Sequence, residues 1–367
     1  MQFKFGTYQT EAHITSSLPD INEIEKDFGV DNGKRGLKSL GLKSLIICDA
    51  NTFRFADKIR GNRDIPVCAL EPGEAHKDWQ SVETILKAAG GAQIGRDGIF
   101  IGIGGGVITD LSAFAASIYM RGCALALIST TLLGMVDASM GGKTGFDLFG
   151  IKNLAGTFYP AEHVYIPMES LASLPPAEWK SGMAELIKTA ILEGDEFLDL
   201  VEGIKGSFTV MTKTIAPCIE RAVKYKGRIV EEDPFEKGNR RMLLNLGHTF
   251  GHALEAAAGL GRISHGEAVA WGIARSCELG LALGVCPPHR AKRIMSLLTS
   301  FDYETAAPHP FADGAELFRA LGSDKKKRGG KIIFIVPDEK SARPVTADAP
   351  DFMNIVSRII EGAAPFL

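Results

Sequence analysis

The chain of 367 residues has no run of about 18 uninterrupted apolar residues, so no membrane span is expected. Its first residues, MQFKFGTYQTEAHIT, lack a charged segment followed by an apolar one. They read as an alternating first strand rather than a signal peptide. Charge of either sign is in short supply as an excess: 41 Lys and Arg face 44 Asp and Glu, a net of −3. That balance excludes a global basic field for nucleic acid and the acidic excess of a disordered chain. An acidic substrate must therefore meet a local cluster of cations. The six cysteines form no C-x-x-C pair and mostly sit in apolar runs, as reduced, buried thiols of a cytoplasmic protein would. No H-E-x-x-H, no internal repeat and no low-complexity tract occurs.

What is present divides in two. Hydrophobic residues make up 45%, enough for buried cores, and the length suggests two domains. Through residue 175, strand-like apolar runs (44–50, 64–74, 98–103, 124–138, 163–175) alternate with helical spacing, the grammar of a parallel sheet with crossover helices. From 176 to 367 the spacing is helical over 177–204, 207–230, 245–260, 265–284, 288–300 and 313–322, with a late strand or hairpin at 329–339. The fold class expected is α/β plus all-α, split at 1–175 and 176–367.

The run GIGGGVITD (102–110) follows an apolar strand and opens an apolar helix. Glycines there let backbone approach a ligand, and a helix N-terminus suits a pyrophosphate. The strict G-x-G-x-x-G spacing is not met. Asp110 lies in the first turn of that helix, where a cap is the alternative reading. Asp49 and Asn51, just past an earlier strand, suit a ribose diol, and Glu74 and Lys77 follow another strand.

The second half carries the metal chemistry. MAELIKTA puts Glu185 and Lys188 three apart on one helix face, and LNLGHTFGHALE puts His248 and His252 four apart. His265 opens the next helical segment. A carboxylate with two or three imidazoles is a first-row metal set, and a His₂Glu site leaves a position open. Spacing alone leaves His248 and His252 open as joint ligands or as hydrogen-bonded core residues. Arg121, Lys143, Lys152, Lys188, Lys226 and Arg241, with Asn153 beside Lys152, gather around these motifs, a cationic set fit for a phosphate and a carboxylate.

The ordered motifs GGGVITDLSAFAASIYMRG, STTLLGMVDASMGGKTGFD, KNLAGTFYP, MAELIKTAI, LLNLGHTFGHALE, HGEAVAWG and DKKKRGGK, spread over about residues 40 to 340, resemble the 3-dehydroquinate synthase family of sugar phosphate cyclases. The resemblance implies a Rossmann-like NAD-binding domain, a helical metal-binding domain, and an active site in the cleft between them. It implies a homodimer, a tightly held NAD, and a zinc or cobalt ion on Glu185, His248 and His265, with His252 turned to substrate. NAD contacts are implied for Asp49, Asn51, Glu74, Lys77, Gly105, Gly106, Val107, Asp110, Thr130, Thr131, Lys143, Lys152, Ser173 and Leu174. Substrate contacts are implied for Asp137, Lys143, Lys152, Asn153, Lys188, Lys226, Arg241, Asn245, His252 and Lys325 or Lys326, with Arg121 reaching the phosphate of the partner's site. The implied reaction turns 3-deoxy-D-arabino-heptulosonate 7-phosphate into 3-dehydroquinate. Three stretches depart from the family's usual pattern: Thr109 stands for a glycine, Ser170–Ser173 replaces FLKT, and DPFEKGNRRMLLN is one residue longer. Gly150-Ile151 is also altered just before Lys152.

Overall fold

The computed structural model describes residues 1–29, 43–204, 214–259, 261–327, 332–347 and 351–363, and for 323–327 the backbone alone. It divides into two compact units, Met1–Pro175 with Lys226–Phe235, and Pro176–Tyr225 with Glu236–Leu367.

The first unit is built on a seven-stranded sheet. In chain order its elements are β1 (Gln2–Phe5), β2 (Tyr8–Thr15), α1 (Ile21–Asp27), β3 (Ser44–Asp49), α2 (Phe53–Arg60), β4 (Val67–Leu70), α3 (Trp79–Gly91), β5 (Ile99–Gly104), α4 (Gly106–Ile118), β6 (Ala124–Ser129), β7 (Lys143–Leu148), β8 (Ile151–Phe158) and β9 (His163–Pro167). The sheet order is β1-β2-β9-β6-β5-β3-β4, and every pairing is parallel except β1 with β2. The single alternating strand read at the N-terminus is thus a hairpin, turned at Gly6 with φ 66°. Ile46, Cys48, Ile101, Ile103 and Ile128 pack one sheet face against Ile24 of α1 and Ala56 and Ile59 of α2. From β3 the chain steps outward to β4 and then returns past β3 to β5. The carboxyl ends of β3 and β5 therefore form a topological switch point, where open α/β sheets bind ligands. β7 and β8 stand apart as a separate antiparallel hairpin.

The ten residues Lys226–Phe235 belong with this unit although they come after α5 (Pro176–Glu193) and α6 (Asp195–Glu202) in the chain. They form the end of α7 (Ala216–Glu232) and the turn after it. The cause is local packing. A Cβ on Gly227 would lie 2.1 Å from the Phe3 ring, so only glycine allows that approach, and Glu231 accepts the Lys4 amide at 2.7 Å.

The second unit continues with α8 (His248–Ala258), α9 (His265–Ala282), α10 (Pro288–Ser300), α11 (Gly314–Lys327), the hairpin β10 (Ile333–Pro337) with β11 (Ala342–Thr346), and α12 (Phe352–Ile360). Phe250, Leu254, Trp271, Leu279, Leu317, Phe334 and Val356 share its core. The stretch read as one helix over 177–204 is two, broken at Gly194 with φ 129°. No helix among the described residues is long and apolar enough to cross a membrane. All six cysteines are free and buried, and burial pushes the thiols of Cys48 and Cys123 up to about 12, leaving neither as a thiolate nucleophile.

Candidate active site

Close helix packing brings the metal-type donors together. α5 is buried from Ser181 to Leu192, so Glu185 and Lys188 lie inside the second unit rather than on its surface. α9 meets α5 at Gly266, where a Cβ would lie 2.3 Å from the Ser181 Cα, and this seats His265 beside Glu185. α9 meets the start of α8 at Gly272, where a Cβ would lie 2.0 Å from the Gly247 carbonyl, and this seats His248. Glu185 Oε1 lies 3.2 Å from His265 Nε2 and 3.6 Å from His248 Nε2. A tetrahedral ion with bonds of 2.0–2.1 Å has ligand-to-ligand edges of ~3.3 Å, so these three donors fit one.

Their protonation chemistry fits as well. His248 Nδ1 faces the Leu246 carbonyl at 3.2 Å, which turns Nε2 inward as a lone pair. Burial, helped by the Lys188 cation, lowers the His248 pKa to about 3. His265 goes the other way: burial opposes its charge, but hydrogen bonds to Glu185 and Glu255 raise it to about 9. Glu185 itself is held well below the ordinary carboxylate range. Burial alone would raise it, but Lys188, His265 and His248 outweigh that. Lys188 pairs with its second oxygen. His252 stands next to the set, its ring 5.2 Å from His248 and 6.4 Å from His265, and is exposed. The three donors are thus Glu185, His248 and His265, with His252 outside them. Glu255 was not singled out from the sequence. It stands 3.7 Å from His265 Nδ1, the carboxylate–histidine relay that orients metal ligands. The signal available was its place seven residues after His248, on the same helix face.

The first unit carries the nucleotide-type residues. α4 starts at Gly106, and its N-cap Gly105 brings no side chain to the free N–H groups. A Cβ on Gly104 would lie 2.6 Å from Ile108, so that glycine serves the strand–helix contact. At Gly106 the nearest atom is the Ala138 Cβ at 3.5 Å, leaving room for a ligand. This uncapped N-terminus suits a pyrophosphate. Gly106→Ala is therefore expected to leave the melting temperature almost unchanged and to weaken NAD binding at least about tenfold, measured by calorimetry. Thr109 fits the helix without distortion, donating its hydroxyl to the Gly106 carbonyl at 3.0 Å.

At the switch point, Asp49 accepts from the Thr52 amide at 2.9 Å and hydroxyl at 2.7 Å. Thr52, missed by the sequence reading, also lies 3.0 Å from the Ile103 carbonyl and so ties the ends of β3 and β5. Asn51 and Glu74 are exposed. Val107, Thr131 and Leu174 are half-buried, and Thr130 is buried, its amide bound to the Gly104 carbonyl at 3.0 Å. Ser173 hydrogen-bonds to the Ser170 carbonyl at 3.0 Å.

Lys77 is buried and donates to Asp110 at 2.6 Å and to Asn153 at 2.7 Å. Burial works against its charge, but Asp110 and Glu74 prevail and hold its pKa above that of an ordinary lysine. Asn153 sits at φ 50°, an uncommon left-handed position, with its amide donated to Asp147 at 2.8 Å. Lys152 and Lys143 are exposed on the same hairpin. Lys77→Met would take the paired cation from half-buried Asp110; removing one partner of a buried pair costs about 3–5 kcal/mol, and the partial exposure of Asp110 puts this pair at the low end. A loss near 3 kcal/mol is expected in urea unfolding. Lys226 donates to the carbonyl and the carboxylate of Asp137 at 2.5 and 2.6 Å, within a π-helical turn of Gly134–Ala138. Arg121 is exposed at φ 69°, next to Met120 at φ 49°. In the second unit Arg241 is buried and Asn245 donates to Glu236 at 3.2 Å. The side chains of Lys325 and Lys326 lie outside the described residues.

Two family models adjoin across these motifs: 3-dehydroquinate synthase N-terminal over residues 67–181 and 3-dehydroquinate synthase C-terminal over 182–327. The chain belongs to the 3-dehydroquinate synthase family. A 3-dehydroquinate synthase of Colwellia psychrerythraea is 42% identical over 329 residues, 87% of this chain and 92% of that protein. Among solved structures, a 2-epi-5-epi-valiolone synthase from Streptomyces hygroscopicus subsp. jinggangensis 5008, with NAD+ and Zn2+ bound, superposes with a TM-score of 0.81 at 25% identity, covering 98% of both chains. A 2-deoxy-scyllo-inosose synthase with carbaglucose-6-phosphate, NAD+ and Co2+ gives 0.79 at 23% identity over 98% of this chain and 99% of that one, a likeness of fold. The sequence relatives are thus dehydroquinate synthases, whereas the ring-forming cyclases of other sugars are structural relatives.

Proposed function

We propose that the chain converts 3-deoxy-D-arabino-heptulosonate 7-phosphate to 3-dehydroquinate and phosphate, with NAD and a zinc or cobalt ion as its resident cofactors. The observation that carries this reading is the convergence of Glu185, His248 and His265, with a neutral, inward-facing imidazole at His248. When bound, the metal would polarise substrate hydroxyls, and NAD would accept a hydride and later return it.

The chain's own residues supply orientation and charge. Lys152, Arg241 and Arg121 would hold the phosphate and the carboxylate, and charged groups fixed in place need no reorganisation as phosphate departs. Lys77, which steadies Asn153 and Asp110, would keep the nucleotide side of the site in register. His252, exposed beside His248, is suited to carry the hydroxyl proton during hydride transfer. Lys226 would fix Asp137 toward the substrate. Glu255 would orient His265. Lys188 would neutralise the second oxygen of Glu185. Lys325 or Lys326 would add a further cation. The protein would act in the cytoplasm as a homodimer in which Arg121 reaches the neighbouring site; the left-handed pair Met120–Arg121 supports a presented, rather than packed, side chain.

The test is metal-loaded protein with substoichiometric NAD and the heptulosonate phosphate. Many phosphates released per NAD, with a product of dehydroquinate mass, is the expected result. No turnover with this substrate, but turnover of a phosphorylated sugar lacking a carboxylate, would move the chain to the valiolone or inosose reaction. Accumulating NADH would make it a polyol dehydrogenase.

A further inference from the structure

A second cluster of metal-type donors lies in the first unit and shares no residue with Glu185, His248 and His265. Along β2, Glu11 and His13 are two apart and so face the same side of the sheet. The parallel register sets Glu11 beside His163 of β9 and His13 beside Tyr165, which places both histidines and Glu11 on that one face. It is the face otherwise filled by Ile24, Ile101 and Ile128. The C-terminal residue of α1, Asp27, comes down over it, with its carboxylate 3.8 Å from His13 Nε2. Glu11, His13 and His163 are half-buried at the edge of this apolar layer, where a shared cation would satisfy all three at once.

The geometry favours a cation as that partner. His13 Nε2 and His163 Nδ1 face each other at 3.1 Å, and one ligand atom from each of Glu11, His13 and His163 falls within 4.8 Å of the others. For zinc-length bonds the expected ligand edge is ~3.3 Å. The rings are held from outside the cluster. Tyr165 stacks on His13, centroids 4.7 Å apart and planes 15° apart, and donates its hydroxyl to Asp27 at 2.7 Å. Phe28 meets His163 edge-on at 4.7 Å. Orientation of ligands by such neighbours is what a metal site requires. His13 keeps 22% and Asp27 33% of its side-chain surface exposed, so an ion has a way in.

We propose that Glu11, His13, His163 and Asp27 form a second divalent-cation site, of zinc type, that clamps β2, β9 and the end of α1. It lies at the antiparallel edge of the sheet, with β9 and β6 between β2 and the switch-point strand β5. Its role is structural: it closes the sheet near its antiparallel edge and takes no part in the chemistry.

The experiment equilibrates the NAD-bound protein with buffered micromolar zinc, removes free metal by gel filtration, and counts zinc per chain by mass spectrometry. The wild type should hold one more equivalent than the double variant His13→Ala/His163→Ala, whose kcat should be unchanged. Because the count is a difference, it does not depend on what the other site holds. The single variants Glu11→Gln and Asp27→Asn guard against a fold defect and should each weaken the extra equivalent at least tenfold. Crystals grown with zinc should show anomalous signal among the four side chains. Equal zinc content in wild type and double variant, or crystals without signal at His13 and His163, would overturn the site.

Discussion

Glu185→Gln is expected to weaken the metal centre and lower kcat about a thousandfold, with NAD binding preserved. The carboxylate is fully buried, pairs with Lys188, and supplies the oxygen that both histidines face. Metal polarisation of a reacting oxygen contributes several kcal/mol, and each 1.4 kcal/mol is about tenfold in rate, which gives that magnitude. The substitution should also destabilise the second unit by about 3 kcal/mol, since the buried Lys188 loses the carboxylate charge it pairs with. A pH signature accompanies it. In the metal-free wild type His265 has its pKa raised to about 9, so an incoming ion must displace a proton. Zinc affinity should therefore fall as pH drops, by about tenfold per unit below 9. In Glu185→Gln that slope should flatten, because the main hydrogen bond holding the His265 proton is gone. Competition titrations against a zinc-binding dye at several pH values measure both. A slope that is the same in both proteins would show that Glu185 does not hold that proton.

Gly272→Ala is expected to be the most damaging single-methyl change in the second unit. The added carbon would lie 2.0 Å from the Gly247 carbonyl and 2.9 Å from the Gly251 amide, both backbone atoms that no rotamer change can move. α9 must then shift off α8. Overpacking of this kind costs about 1–3 kcal/mol, and a contact with rigid backbone sits at the upper end. A shift near 1 Å also spreads the donors, because His248 opens α8 and His265 opens α9. The variant should lose both stability and zinc, whereas Gly106→Ala should lose nucleotide affinity alone. Calorimetric melting with metal counting separates them. A Gly272→Ala protein with wild-type melting and full zinc would refute the account of how these helices place the ligands.

The strands of the first unit were legible because a parallel sheet buried on both faces writes itself as continuous apolar runs: 44–49, 99–104 and 124–129 are nearly all buried. The glycine turn was legible for the complementary reason, since few other places need backbone so bare. β7 and β8 were not, because the β8 side chains are mostly exposed and show no clear apolar alternation. The return of Lys226–Phe235 to the first unit depends on Phe3 meeting Gly227, a contact no local window contains. α12 lies beyond the last motif and carries none of its own. The metal trio could be named only through the resemblance. Spacing offered His248 with His252, four apart on one helix, and it is the packing of α9 on α5 that substitutes His265. The pair His13 and His163, 150 positions apart, is visible only once the register of β2 on β9 is known.

The bare seams at Gly266 and Gly272 bear on how such a catalyst can change over time. A contact with no room for one carbon cannot drift by small steps, because every first substitution breaks the metal centre it would need to improve. The solvent face of the hairpin bearing Lys152 and Asn153 is less constrained, because the β8 side chains are largely exposed, although its own seam is as bare: a Cβ on Gly156 would lie 2.1 Å from the Thr144 carbonyl. Mutation is thus channelled: the glycine seams are inherited as units, while the exposed side chains between them are free to vary. The sharing of one fold by enzymes that close different rings, at about a quarter identity, is what that division of freedom would leave behind.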